Sequence, residues 1–180
     1  QKDQSRFILV SCAQVIPLKR LTLIPRVLEK LNLDKPIHWI HFGDGYEMEL
    51  LKESIADLPA NIDAELKGHF RNEDLMSFYQ NNYIDLFISL SKSEGLPVSM
   101  MEAQSFGIPI FTCNVNGIPE IVNEKTGVLL PLDLPVEKLA LKLEQSLRAS
   151  FDRNDIRRHF DQHFDSETNY THFADLLTQL

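Results

Sequence analysis

Short runs of apolar and β-branched residues alternate with helix-period segments along almost the whole of this 180-residue chain. "RFILVSCA", "IHWIHF", "IDLFISLS" and "IPIFTC" are continuous apolar runs bounded by turn residues, and "NIDAELKGH" and "GVLLP" are weaker versions. Runs of this kind suit strands buried on both faces of a parallel sheet. The segments between them repeat apolar residues at three and four positions. Leu21, Ile24, Val27, Leu28 and Leu31 share a face, with Pro25 in the first turn. A helix from about Tyr46 would bury Leu51, Ile55 and Leu58, and "EDLMSFYQ" predicts a short helix capped by Asn72. A further helix starts near Pro97, within the first turn, and ends at Gly107. "GIPEIV" reads as a turn and short helix, and Val136, Leu139, Leu143 and Leu147 mark an amphipathic one. Two helices close the chain, the last being "SETNYTHFADLLTQL" capped by Asp165 or Ser166. Strand–helix alternation implies right-handed βαβ units, hence an α/β fold with a mostly parallel sheet covered on both faces. Ligands of such folds bind outside the carboxyl ends of the strands.

Composition removes several functional classes. Hydrophobic residues make up 43%, an ordinary globular share, and the formal net charge is −8 with no basic stripe, which argues against nucleic acid as a partner. No apolar run is long enough to span a bilayer, and the polar opening "QKDQSR" is not a signal peptide. The chain begins without Met, so it is expected to be a piece of something longer. Cys12 and Cys113 lie in apolar stretches and read as free buried thiols, suited to a reducing cytosol. No zinc spacing, G-x-G-x-x-G, Walker A or G-x-S-x-G pattern occurs. His159 and His163 are spaced to share a metal, but with no third ligand in the pattern they read as a solvated helix face. His38, His41 and His69, in or beside strands, read as structural.

The most informative stretch is "SEGLPVSMME". Glu94 follows a strand directly, Glu102 lies in the second turn of the next helix, and Gly95 and Pro97 stand between. Gly95 lets a ligand approach the backbone. The helix start offers unpaired N–H groups and partial positive charge, which suit an anion. Carboxylates accept hydrogen bonds from paired hydroxyls. A ligand with sugar, phosphate and ribose would use all three features.

The longer stretch "SEGLPVSMMEAQSFGIPIFTCNVNGIPEIVNEKTGVLLP" resembles the signature region of the retaining family-4 glycosyltransferases. E-x(7)-E, "EA.SFG.P", "GIPEIV" and "TG.LLP" occur in that family's order, and the likeness extends from "FILVSCA" to the closing helices. The resemblance implies a GT-B fold, of which residues 7–180 would be the Rossmann-like, donor-binding second domain. Residues 1–6 would be a linker remnant, and the N-terminal acceptor domain would lie outside this chain. A hydrophobic or basic face is expected where that domain packs.

It also implies roles. Glu94 would contact donor-sugar hydroxyls, with the backbone of Gly95, Leu96 and Pro97 against the same sugar. Amides of Val98 and Ser99 would meet the diphosphate and Glu102 the ribose. Gly68 to Phe70, including His69 and Phe70, resembles the loop beside the base, and Gly43, Asp44 and Gly45 another loop bordering the nucleotide. Lys19 matches the family's lysine beside the diphosphate, whereas Gln14 stands where arginine is usual and Asn116 where glycine is common. Gln14 brings no charge, and a charge-assisted bond is roughly twice as strong as a neutral one. Arg20 would compensate if its side chain turned inward.

The implied reaction transfers a sugar from a nucleotide-diphosphate sugar with retention and without a metal or other cofactor, UDP-sugars ranking ahead of GDP- and ADP-sugars. Lys19 and the helix start would stabilise the leaving phosphate, and Glu94 would orient the sugar. The acceptor would be a saccharide or lipid-linked saccharide, as in polysaccharide assembly. The setting would be cytoplasmic, with any membrane association through the missing domain, and the isolated chain would be inactive in transfer. The competing reading is a non-catalytic nucleotide-sugar-binding module or a degenerate subunit, which Gln14 favours. A GT-B epimerase ranks third, because the E-x(7)-E region with "GIPEIV" argues against it, and an unliganded scaffold ranks last.

Overall fold

A computed structural model describes residues 5–178, so the first four residues of the expected linker and the last two of the segment expected as the closing helix lie outside the described residues. Six strands form the sheet: β1 (Phe7–Cys12), β2 (Ile37–Phe42), β3 (Ile62–Leu66), β4 (Leu86–Ser89), β5 (Ile110–Cys113) and β6 (Gly127–Leu130). Their order is β3-β2-β1-β4-β5-β6, and every pair is parallel. The helices are α1 (Leu23–Leu28), α2 (Met48–Ile55), α3 (Asn72–Asn81), α4 (Val98–Ser105), α5 (Ile118–Ile121), α6 (Val136–Arg148), α7 (Arg153–His163) and α8 (Ser166–Thr178).

Side chains of successive strand residues point to opposite faces. Phe42 meets Phe70 and Phe78, and Tyr79 of α3 meets Phe106 at the end of α4. Helices α3 and α4, with α7 against α4, therefore cover one face, while α1 packs with α2 and α6 on the other. Trp39, Phe87 and Phe111 are fully buried at the centre. Burying a large apolar side chain contributes about 1.5–3 kcal/mol.

Ser11, Trp39 and His41 put a polar chain inside this core. Trp39 Nε1 donates to Ser11 Oγ at 2.9 Å, and Ser11 Oγ lies 2.8 Å from His41 Nδ1. A hydroxyl that accepts from the indole still has its own hydrogen to donate to a neutral imidazole. Burial pushes the pKa of His41 down to about 4, although the nearby backbone of Ser11 and Ala13 opposes the shift.

Three local expectations shift by a residue or two. The second helix begins at Met48, because Gly45 to Glu47 are held under the first loop: the amide of Glu47 donates to Val15 O at 3.1 Å. Leu58 lies beyond that helix and packs on the core from the following turn. Pro97 is the N-cap of α4, with extended ψ of 111°, and the first helical residue is Val98. Asn72 is the first residue of α3, after Arg71 as N-cap, and its side chain makes no cap. Its amide is committed elsewhere.

Candidate functional site

The order β3-β2-β1-β4-β5-β6 reverses direction between β1 and β4, which makes their carboxyl ends the switch point where open α/β sheets bind ligands. The loop after β1 carries Gln14 and Lys19, and the loop after β4 carries Glu94. They meet there. The Lys19 ammonium lies 2.7 and 2.6 Å from the two oxygens of Glu94. These side chains are 20% and 10% exposed, respectively.

Backbone bonds hold the neighbouring loops together. Ala13 N donates to Phe42 O, Val15 N to Asp44 O, Gly43 N to Gly68 O and Lys92 N to Leu18 O, all within 2.9–3.0 Å. Gly43 is required for this closeness. Its φ is +143°, and a Cβ there would sit 1.8 Å from Ala13 O. Gly117 plays the same part on the other side, where a Cβ would lie 2.5 Å from Gly95 O. Asn116, at φ 44°, adopts the left-handed conformation that asparagine tolerates better than most residues, and its side-chain amide donates to Ser93 Oγ at 2.8 Å.

Helix α4 begins beside Glu94. Pro97 makes no side-chain cap, and helix geometry leaves the amides of Val98 and Ser99 without intrahelical acceptors. Around Gly95 there is open space: a Cβ would meet no protein atom within 4 Å. Leu96 and Val98 are exposed on the same rim. Glu102, one turn into α4, is half-buried, and its Oε1 accepts from Asn72 Nδ2 at 2.7 Å. Its charge, after the larger effect of burial, helps push the Cys12 thiol up to about 12. Burial first, then the neighbouring Cys12 and Glu102, raise the pKa of the buried Tyr79. Thus the second glutamate is oriented by Asn72 of α3. Asp44 and His69 are exposed at the same edge, and Phe70 is half-buried with its ring edge-on to Phe42 at 5.5 Å.

All the sequence-predicted site residues therefore lie in the carboxyl-end loops or the first turns of α4. Gln14 is exposed. Arg20 does turn inward, but away from Lys19's role: its guanidinium donates to Leu90 O, Leu132 O and Cys113 Sγ, tying the ends of β4, β5 and β6. It supplies no free charge to replace the missing arginine. Sequence reasoning missed Asn72 as the partner of Glu102, since its placement at a helix start suggested only capping.

The two cysteines are free, as expected, with Cys113 buried and Cys12 half-buried. His159 departs from the expected solvated face. Only His163 is exposed, while His159 is half-buried with the two rings 4.5 Å apart, and burial and then the neighbouring ring lower its pKa. Among the described residues no group of three His, Cys, Asp or Glu is placed to hold a metal ion. Among them, too, no helix is long and apolar enough to cross a membrane.

The sheet is all-parallel, with a charged pair at its switch point and an uncapped helix start beside it, as in a Rossmann-like domain. Residues 1–162 match the family described as glycosyl transferases group 1, and the chain belongs to that family. It is 33% identical over 142 residues to the O-antigen biosynthesis glycosyltransferase WbnH of Escherichia coli, covering 73% of this chain and 38% of that protein. It is 29% identical over 159 residues to the UDP-N-acetylglucosamine–peptide N-acetylglucosaminyltransferase GtfA subunit of Streptococcus agalactiae, covering 86% of this chain and 30% of the relative. The chain thus spans about a third of the length of these relatives. The fold matches the crystal structure of the pneumococcal O-GlcNAc transferase GtfA in complex with UDP and GlcNAc, with a TM-score of 0.77 at 20% identity over 98% of this chain and 37% of that one. The fold is that of the Rossmann-like half of a GT-B enzyme.

Proposed function

We propose that residues 7–180 form the donor-binding domain of a retaining glycosyltransferase that uses a nucleotide-diphosphate sugar, UDP-linked ahead of GDP- or ADP-linked. Residues 1–6 would then be a linker from an acceptor-binding domain. The observation that carries this reading is the convergence, at the β1/β4 switch point, of Lys19, Glu94 and the open amides of α4. UDP appears in the names of the GtfA relative and the structural neighbour given above, which supports the choice of base.

In this reading negative charge grows on the leaving diphosphate as the glycosidic bond breaks. The amides of Val98 and Ser99 are donors already in place, and fixed donors need no reorganisation during reaction; Lys19 joins them once phosphate has drawn it from Glu94. Glu94 and the backbone of Gly95, Leu96 and Pro97 orient the sugar, and Glu102, steadied by Asn72, takes the ribose hydroxyls. Gly43, Asp44, His69 and Phe70 border the nucleotide. No metal enters the scheme. The exposed apolar side chains Leu18, Tyr46, Leu96 and Val98 near this edge suit cover by the acceptor domain, without which the chain would not transfer sugar. The acceptor would be a saccharide or lipid-linked saccharide, and the setting cytoplasmic, with any membrane association through that domain.

A second reading, a nucleotide-sugar-binding module without catalysis, is favoured by exposed, neutral Gln14 and by the commitment of Arg20 to backbone carbonyls. Calorimetric titration with UDP, GDP and ADP tests the donor site common to both. Saturable binding of one nucleotide, weakened at least ten-fold in Glu102→Ala, is expected. Binding unchanged by that substitution would remove Glu102 from the site. Sugar transfer by the protein joined to its acceptor domain separates the two readings.

A further inference from the structure

The site has fewer cations than its proposed ligand has charges. Gln14 is neutral, and Arg20 is fastened to Leu90 O, Leu132 O and Cys113 Sγ. The remaining cation of the first loop, Lys19, is held by both oxygens of Glu94. In this pair the group proposed for phosphate and the group proposed for sugar neutralise one another. A carboxylate 90% covered is costly to leave without a partner, so the pair is unfavourable to break from one side alone. Glu102 differs, because its partner is the neutral amide of Asn72, so giving up that bond leaves no unpaired cation behind.

We propose that Lys19 and Glu94 exchange partners together, and that this exchange makes the site selective for an intact nucleotide sugar over the bare nucleotide diphosphate. This rests on the donor-site reading above. A nucleotide sugar offers phosphate oxygens to Lys19 and hydroxyl donors to Glu94 in the same binding event. A bare diphosphate takes Lys19 but leaves Glu94 ionised, uncompensated and next to further negative charge. Like charges set together oppose binding. The site therefore holds the substrate and weakens its grip on the nucleotide once the sugar has left, so Glu94 acts as a specificity-determining residue as well as a sugar contact.

The experiment is calorimetric titration of the wild-type chain, Glu94→Gln, Glu94→Asp and Glu94→Gln/Lys19→Met with UDP, UDP-glucose and UDP-N-acetylglucosamine. Glu94→Gln should bind UDP roughly five-fold tighter or more than wild type, because it frees Lys19 and removes a charge. Its preference for the UDP-sugars over UDP should fall. Adding Lys19→Met should abolish the gain. Glu94→Asp keeps the charge and should leave UDP affinity within about two-fold, well under one tenfold step. Circular dichroism confirms that each variant is folded. If Glu94→Gln binds UDP no more tightly than wild type, or if Glu94→Asp gains as much, the exchange is wrong, while the donor reading stands on UDP binding and its loss in Glu102→Ala. If neither wild type nor Glu94→Gln binds any of the three ligands, both fall.

Discussion

The two ends of the sheet are held in different ways. At the amino end the connections follow local rules: Asp152 caps α7 by accepting from the amides of Asn154 and Asp155, and the side chain of Thr126 and the backbone of Asn123 close the turn before β6. A cleft of about 690 Å³ lies there, lined by Asn123, Lys125 and Asp155 among others, with no converging side-chain pair like Lys19 and Glu94. At the carboxyl end the connections break local rules. Arg20 and Asn116 take left-handed conformations, a histidine is buried, and α4 starts without a side-chain cap. Such departures persist only where surrounding structure over-determines them, and they gather at functional sites. The volume of a cleft is therefore a poorer guide here than the cost of the conformations around it.

The largest expected effect tests the fastening of the carboxyl-end loops. Gly43→Val should cost about 3–4 kcal/mol in urea unfolding, from strain at positive φ and the clash with Ala13 O. Gly95→Ala, facing open space, should stay within about 0.5 kcal/mol. Equal effects at the two glycines would erase the distinction between packed and ligand-facing loop backbone.

Next comes acid. His41 takes its proton at about pH 4 when folded and near 6.5 when unfolded. Between those values the unfolded chain binds more protons, so stability falls as pH drops from 6.5 to 4. The loss is about 3 kcal/mol. Urea midpoints measured across that window in wild type and His41→Gln should show the steeper decline only in wild type. Parallel declines would mean that the buried histidine does not carry the acid sensitivity of this end.

Two effects of about 1 kcal/mol complete the comparison, and they should be opposite in kind. Asn72→Ala should weaken UDP binding about five-fold, through loss of the bond that orients Glu102, and should weaken a 2′,3′-dideoxy analogue less. Asp152→Ala should lower stability by about 1 kcal/mol and leave UDP affinity unchanged. A shared loss of affinity in both would show that the ends of the sheet are coupled.

Much of this molecule was legible before folding. All six strands were visible, β3 only weakly because Asp63 and Glu65 interrupt it, and the glycine at position 107 did end α4, at φ +71°. Glu94 and Glu102 stood out because they flank a helix start that directly follows a strand, and parallel strands end at a common edge, whereas Lys19 was marked by the family resemblance. Boundaries were less legible where a neighbour intervened. The start of α2 waited on Glu47 reaching back to Val15, and Asn72 became a partner of Glu102 rather than a cap.

What the sequence determined by itself is therefore what one segment can decide: the period of its apolar residues, its turn chemistry, and the kinds of group it offers at its end. The tertiary structure alone decided which ends become neighbours. Lys19 and Glu94 are 75 positions apart, and Arg20 and Leu132 are 112 apart. Their meetings depend on β1 pairing with β4. Strand order is chosen by burial over the whole core, and no periodicity within a segment encodes it. The charge state of the site, with its one lysine held by its own glutamate, follows from that choice.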